Sequence, residues 1–162
     1  HFTIHSFPTR RSSDLLASPS SFDRDAFWDE LVETVVWGEE RMAEGEETDD
    51  RVSARLRRLT DQLDSFPLDL GDLCDGVSVR ADEAWPFACA MTARRPLLLE
   101  NTLLSGINVG GDADTTGAMM GAMLGALHGW EAFPAEWKRG LEDEPQLKHT
   151  ARQVHKALQK EE

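Results

Sequence analysis

Asn108-Val109-Gly110-Gly111-Asp112-Ala113-Asp114-Thr115-Thr116-Gly117 is the stretch of this 162-residue sequence on which the reading of the fold turns. It sets two carboxylates two residues apart in a glycine-loosened turn, directly before an apolar run that ends at Gly129. Glycine permits sharp bends and close backbone approach to a ligand, so Gly110 and Gly111 are candidate substrate-binding positions. Asp112, Asp114 and the Thr115 hydroxyl are hard oxygen donors suited to Mg²⁺ or Mn²⁺ rather than to a soft metal. Two carboxylates drawn together repel unless a cation neutralises them. The same letters also fit a purely structural use, with Asp114 capping the following helix and Asp112 serving the turn. Spacing alone leaves both uses open.

Two rival metal motifs share these residues. An EF-hand loop starting at Asp112 would need a bidentate acid at its twelfth position, where Met123 stands. The haloacid-dehalogenase-like phosphatases use a similar Asp-x-Asp-x-Thr, but at the end of a buried strand near the start of the domain. Gly110-Gly111 and the late position argue against that reading.

The fifth helix is expected to begin at about Asp114 or Thr115 and to end at Gly129 as its C′ residue. Within it Gly117, Gly121 and Gly125 recur every fourth residue, with Ala118, Ala122 and Ala126 beside them. Three interior glycines cost about 3 kcal/mol of helix propensity against alanine. Close packing of this smooth face on neighbouring helices would offset that cost, so the expectation is a tightly packed core helix that holds the acids rigidly. A membrane dimerisation stripe looks alike, but this segment is too short and too polar at its start to span a bilayer.

Working outward, Asp23 caps a first helix of roughly Arg24 to Ala43, with Phe27, Leu31, Val35 and Met42 in helical register. Thr48 caps a second, where Val52, Leu56, Leu59 and Leu63 form the apolar stripe, ending near Ser65. The charged faces of both read as solvated surface. Phe66 to Gly76 reads as a loop with room for a short helical turn. Ser78 would cap a third helix, Val79 to Arg94, burying Trp85, Phe87 and Met91, with Pro86 causing a kink or a late start. A fourth runs from Pro96 toward Ile107. Pro134 starts a short helix to Gly140, and Glu144 to Lys160 forms a last, polar one. No strand and no repeat is expected.

Acidic residues outnumber basic ones 30 to 17, a formal charge of -13, which repels a phosphate backbone and argues against nucleic-acid partners. An anionic small ligand would need help from bound cations or a helix N-terminus. The apolar run Ala118 to Leu127 falls well short of the roughly 20 residues of a membrane span, so no membrane partner is expected. Cys74 and Cys89 read as two reduced thiols in a cytoplasmic protein. The opening His1 to Asp14, with Arg10-Arg11, matches nothing that follows and reads as foreign sequence rather than a targeting peptide. The organisation expected is therefore a non-native or disordered segment 1–21, a helical domain 22–143 and a polar helix 144–162.

Taken together, Asn108-x-Gly110-Gly111-Asp112-x-Asp114-Thr115, the Gly-Ala pairs at 121 and 125, and Gly129 resemble the C-terminal signature of the ADP-ribosylglycohydrolases. Ala84-Trp85-Pro86-Phe87-Ala88 upstream, and Phe133-Pro134 with Trp137 and Leu141 downstream, extend the resemblance from about Phe22 to Asp143. It implies an all-α orthogonal helical bundle, here truncated, and a binuclear Mg²⁺ or Mn²⁺ centre with Asp112, Asp114 and Thr115 as ligands. The implied chemistry is hydrolysis of the glycosidic bond joining ADP-ribose to a modified protein or small-molecule acceptor. The usual threonine between the acids is Ala113 here. Family members are about twice this length and carry a second Thr-Asp-Asp run, the acid/base residues and most of the adenosine pocket in their N-terminal half. Thr48-Asp49-Asp50 has the letters of that run but opens an ordinary amphipathic helix, where capping is its expected use. Two functions follow: a metal-dependent hydrolase present as a fragment inactive alone, or a non-catalytic remnant or binding module. A core helix of small residues lacking partners would also leave apolar surface exposed and favour self-association.

Overall fold

Helix α1, Arg24–Met42, starts where the sequence supplies a cap: Asp23 Oδ1 accepts the amides of Asp25 and Ala26 at 3.1 and 3.0 Å. The computed structural model describes residues 19–42 and 51–158. Thr48, the expected second cap, lies with Asp49 and Asp50 outside the described residues. Helix α1 anchors through Phe27 and through Trp28, which is 1% exposed and donates its indole N–H to Thr60 Oγ1 at 3.2 Å.

Helix α2, Val52–Leu59, continues into a 3₁₀ turn at Thr60–Gln62 and buries Leu56, Leu59 and Leu63, as the stripe predicts. Its charged face is not wholly solvated. Arg55 is 2% exposed, because acceptors far along the chain converge on it.

The segment read as a loop holds a full short helix, α3, Pro67–Leu73. Pro67 occupies the first turn, where its missing N–H is harmless, and Leu70 gives the helix a buried anchor. Beyond it Asp75 and Gly76 take φ values of +64° and +117°, which turn the chain sharply. Helix α4, Ala81–Arg94, begins two residues later than Ser78 capping would give, with Arg80 at the N-cap position. Ser78 is occupied otherwise: its Oγ accepts the Arg80 amide at 3.2 Å and its hydroxyl donates to the Glu83 carboxylate. Pro86 sits inside α4, and Phe87 and Met91 are buried while Trp85 is half-buried.

Pro96 precedes helix α5, Leu99–Ile107, by a turn rather than opening it. The Leu98 amide donates to Arg95 O at 3.1 Å, and Leu97 and Leu98 stay exposed. Helix α6, Ala113–His128, packs against α4 and α5 and ends at Gly129, whose φ of +78° and amide bond to Gly125 O stop it as expected.

The packing of α6 differs from the smooth-face expectation. Its buried side is Thr116, Met120, Leu124 and Leu127, whereas Ala118, Ala122 and Ala126 are exposed. Of the glycines on the other face, Gly117 meets Ile107, with 3.1 Å left for a Cβ, and Gly121 has nothing within 4 Å. The glycine that admits a close neighbour is Gly106 on α5, where the Met120 side chain occupies the space a Cβ would take. Large side chains won this interface because each fully buried one contributes about 1.5–3 kcal/mol, which alanine cannot match.

The chain divides into two compact units at Ala132 and Phe133. The second contains helices α7, Ala135–Gly140, and α8, Glu144–Leu158, with Leu147 and Val154 exposed on α8. Among the described residues there is no strand, and no helix is long and apolar enough to cross a membrane.

Both cysteines are free and buried, and burial pushes the Cys74 thiol up to about 12 and the Cys89 thiol up as well. Several carboxyls move the other way. Arg95 and Arg24 hold Asp64 below the usual carboxylate range, Arg58 does so for Asp75, and Arg80 for Asp82. A carboxyl with a depressed folded value contributes stability that is complete above its unfolded value, near pH 4, and is lost as pH falls through the folded value. Urea melts between pH 5 and pH 2 should therefore show stability falling below about pH 4, with Asp64→Asn making that fall shallower. A stability flat across this range would contradict the assignment of these ion pairs.

Candidate metal centre

The turn that carries the acids is locked by backbone before any side chain acts. Gly110 and Gly111 have φ of +92° and +68°, in the region that disfavours side chains. A Cβ on Gly111 would overlap the Val77 carbonyl oxygen, so two loops meet there in direct backbone contact. That same carbonyl accepts the Asp112 amide at 2.7 Å. On the other side Asp112 O accepts the Thr116 amide and the Thr116 hydroxyl, each at 3.0 Å. Thr116 is fully buried, so the peptide units flanking Asp112 are held from outside and from within α6.

This arrangement leaves the Asp112 side chain unspent. Asp112, not Asp114, is the N-cap residue of α6, yet its carboxylate makes no capping hydrogen bond. Asp114 is exposed, and its Oδ1 accepts the Thr115 amide at 3.0 Å. The neighbouring Asp112 carboxyl and the Thr115 amide hold Asp114 below the usual carboxylate range. Thr115 is half-buried on the next position of the helix. The turn thus carries the three predicted oxygen donors within four consecutive residues.

Gly111 and Asp112 also line a cleft of about 550 Å³, whose other wall is Val77, Ser78 and Val79. Gly111 spends its missing Cβ on a protein carbonyl; Gly110, with nothing within 4 Å, is the position that leaves room for another molecule. Sequence reading missed the Val77–Val79 wall. Its one cue was a turn at Asp75-Gly76, and no local pattern pairs it with a peptide 35 positions further on.

The donor set fits a hard divalent ion: two acidic oxygens that repel when both are ionised, one hydroxyl, and access from solvent at Asp114. Among the described residues no group of three or more His, Cys, Asp or Glu is placed to hold a metal ion. The turn by itself supplies two carboxylates and no third.

These features define an all-helical protein with an acidic, backbone-locked helix entrance. The ADP-ribosylglycohydrolase family model matches residues 15–162, and the chain belongs to that family. Its relatives include ADP-ribosylhydrolase ARH3 of Homo sapiens, 28% identical over 120 residues, 67% of this chain and 33% of the relative. ADP-ribosylhydrolase ARH3 of Mus musculus is 29% identical over 119 residues, 66% of this chain and 32% of its own. That of Bos taurus is 37% identical over 62 residues, 38% and 17% of the two chains. The match spans about a third or less of the length of these curated relatives. No solved structure matches the chain.

The lock can be tested by comparing the two glycines. Gly111→Ala combines an unfavourable φ with a backbone collision and should lose on the order of 3 kcal/mol or more in urea melts. Gly110→Ala meets only the φ cost, about 1 kcal/mol. Equal losses would show that the Val77 contact does not constrain the turn.

Proposed function

We propose that the Gly110–Thr115 turn is one half of a divalent-metal site in a hydrolase that cleaves the glycosidic bond between ADP-ribose and a modified acceptor. The observation that carries this reading is that Asp112 and Asp114 stand two residues apart at a helix start where the Asp112 carboxylate makes no capping hydrogen bond. Two ionised acids placed so repel one another unless a cation neutralises them. Family membership supports the ADP-ribose chemistry.

Asp112, Asp114 and Thr115 would hold Mg²⁺ or Mn²⁺, two ions in the complete family site. When bound, the metal supplies positive charge that orients ribose hydroxyls, activates a water and balances an anionic pyrophosphate. The chain's own contribution is positional. Val77 and Thr116 fix the Asp112 peptide, and Gly110 keeps the approach open. Substrates of this reading are ADP-ribosylated proteins or small molecules.

Titration of the 162-residue chain with Mn²⁺ in a calorimeter should give weak binding, of about millimolar strength, that Asp112→Ala abolishes. Identical binding in the mutant removes the assignment. With two carboxylates in place of a full ligand set, the chain alone should release no ADP-ribose from modified substrate. Turnover that depends on Asp112 would overturn that part of the reading.

Self-association belongs to the same proposal. Val79, Leu97 and Leu98 are 84%, 59% and 53% exposed, and the Ala118-Ala122-Ala126 face of α6 is open. Light scattering should show a mass that rises with concentration; a monodisperse monomer with a sharp thermal transition argues the reverse.

A further inference from the structure

Arg55 has no part in the metal-binding turn, yet it is the most deeply buried charged side chain among the described residues, 2% exposed on α2. Its Nε–H donates to the Cys74 carbonyl at 3.3 Å. Nη2 pairs with Asp75 at 3.3 Å and Nη1 with Asp82 at 3.0 Å. Those acceptors stand at the two ends of one loop: Cys74 and Asp75 where α3 stops, Asp82 in the first turn of α4. A planar guanidinium with donors on all three nitrogens can hold both ends at once, which an ammonium cannot.

What lies between those ends is the far wall of the site. Gly76 turns the chain with φ of +117°, Ser78 is latched to Glu83, and the Val77 carbonyl points at the Gly111-Asp112 peptide. The carboxylates that Arg55 clamps are each shared with a second arginine, Asp75 with Arg58 at 2.9 Å and Asp82 with Arg80 at 2.8 Å. The buried guanidinium thus faces two carboxylates and a carbonyl, one acceptor for each of its nitrogens. Apolar residues of similar volume stabilise an interior about as well as such a cluster. What the ions add is a defined spacing between the ends of the loop.

We propose that Arg55 is a positioning residue for the Asp112 and Asp114 carboxyl pair: by clamping both ends of the Asp75–Asp82 loop it sets the place of the Val77 carbonyl, and through that carbonyl the orientation of Asp112. The mechanics rest on the loop geometry, and the functional meaning rests on the metal-site reading above.

Arg55→Lys keeps the charge but loses the fork; Asp82→Asn keeps the shape but weakens one arm. Hydrogen exchange of the Asp112 amide, followed by NMR in the whole 162-residue chain, reports the Val77 bond directly. The amides of Met120 and Leu124 in α6 serve as internal references. The expected result is a loss of Asp112 protection of about tenfold in each variant, the worth of one hydrogen bond, with the reference amides unchanged. Mn²⁺ affinity, measured on the same samples, should fall in parallel. Unchanged Asp112 protection overturns the proposal, as does an equal loss at every amide, which would make Arg55 a general stabiliser only. If Arg55→Lys does not fold, the exchange rates of Asp82→Asn decide by the same criteria. If the unaltered chain takes up no Mn²⁺ while Asp112 protection still drops in the variants, the metal reading fails and the clamp stands.

Discussion

The approach of the Val77 carbonyl to the Gly111-Asp112 peptide is the constraint from which the rest of the site follows. One oxygen accepts the Asp112 amide and fills the space that any side chain at position 111 would need. It therefore dictates a glycine, sets where α6 begins, and frees the Asp112 carboxylate from capping duty. A side chain could not replace it, because the contact is between backbones and depends on both loops being held at this distance.

Each loop has its own support. The one bearing the acids is continuous with α6, whose Met120, Leu124 and Leu127 are buried against α4 and α5, and Thr116 ties the first turn back to Asp112 O. The one bearing Val77 hangs between α3 and α4 over the buried Arg55 and its carboxylates. Apolar packing is non-directional, and it fixes the distance between helices without fixing which way a peptide faces. The hydrogen bonds and ion pairs supply that direction, so both kinds of force are needed to fix the turn that carries the two acids.

The electrostatics are consistent with this division. A chain of formal charge -13 gains nothing from setting two carboxylates side by side. Elsewhere its depressed carboxyls are explained by arginines: Arg95 and Arg24 at Asp64, Arg58 at Asp75, Arg80 at Asp82. At Asp114 the partner is another acid and a helix-terminal amide. That contrast sets the Gly110–Thr115 turn apart from the structural ion pairs.

Much of the architecture was legible in the order of residues. The caps and stops at Asp23 and Gly129, the apolar register of α2, the short helix after Pro134 and the absence of strands among the described residues all follow from local propensity and periodicity. The placing of Asp112, Asp114 and Thr115 at the entrance of α6 follows in the same way. Tertiary structure decided what periodicity cannot weigh: that α6 buries its large side chains and leaves its alanines in solvent, that Arg55 goes inside, and that Val77 meets Gly111. Each is a contact between segments distant along the chain, and its energy depends on which surfaces are available to pair once the helices have formed.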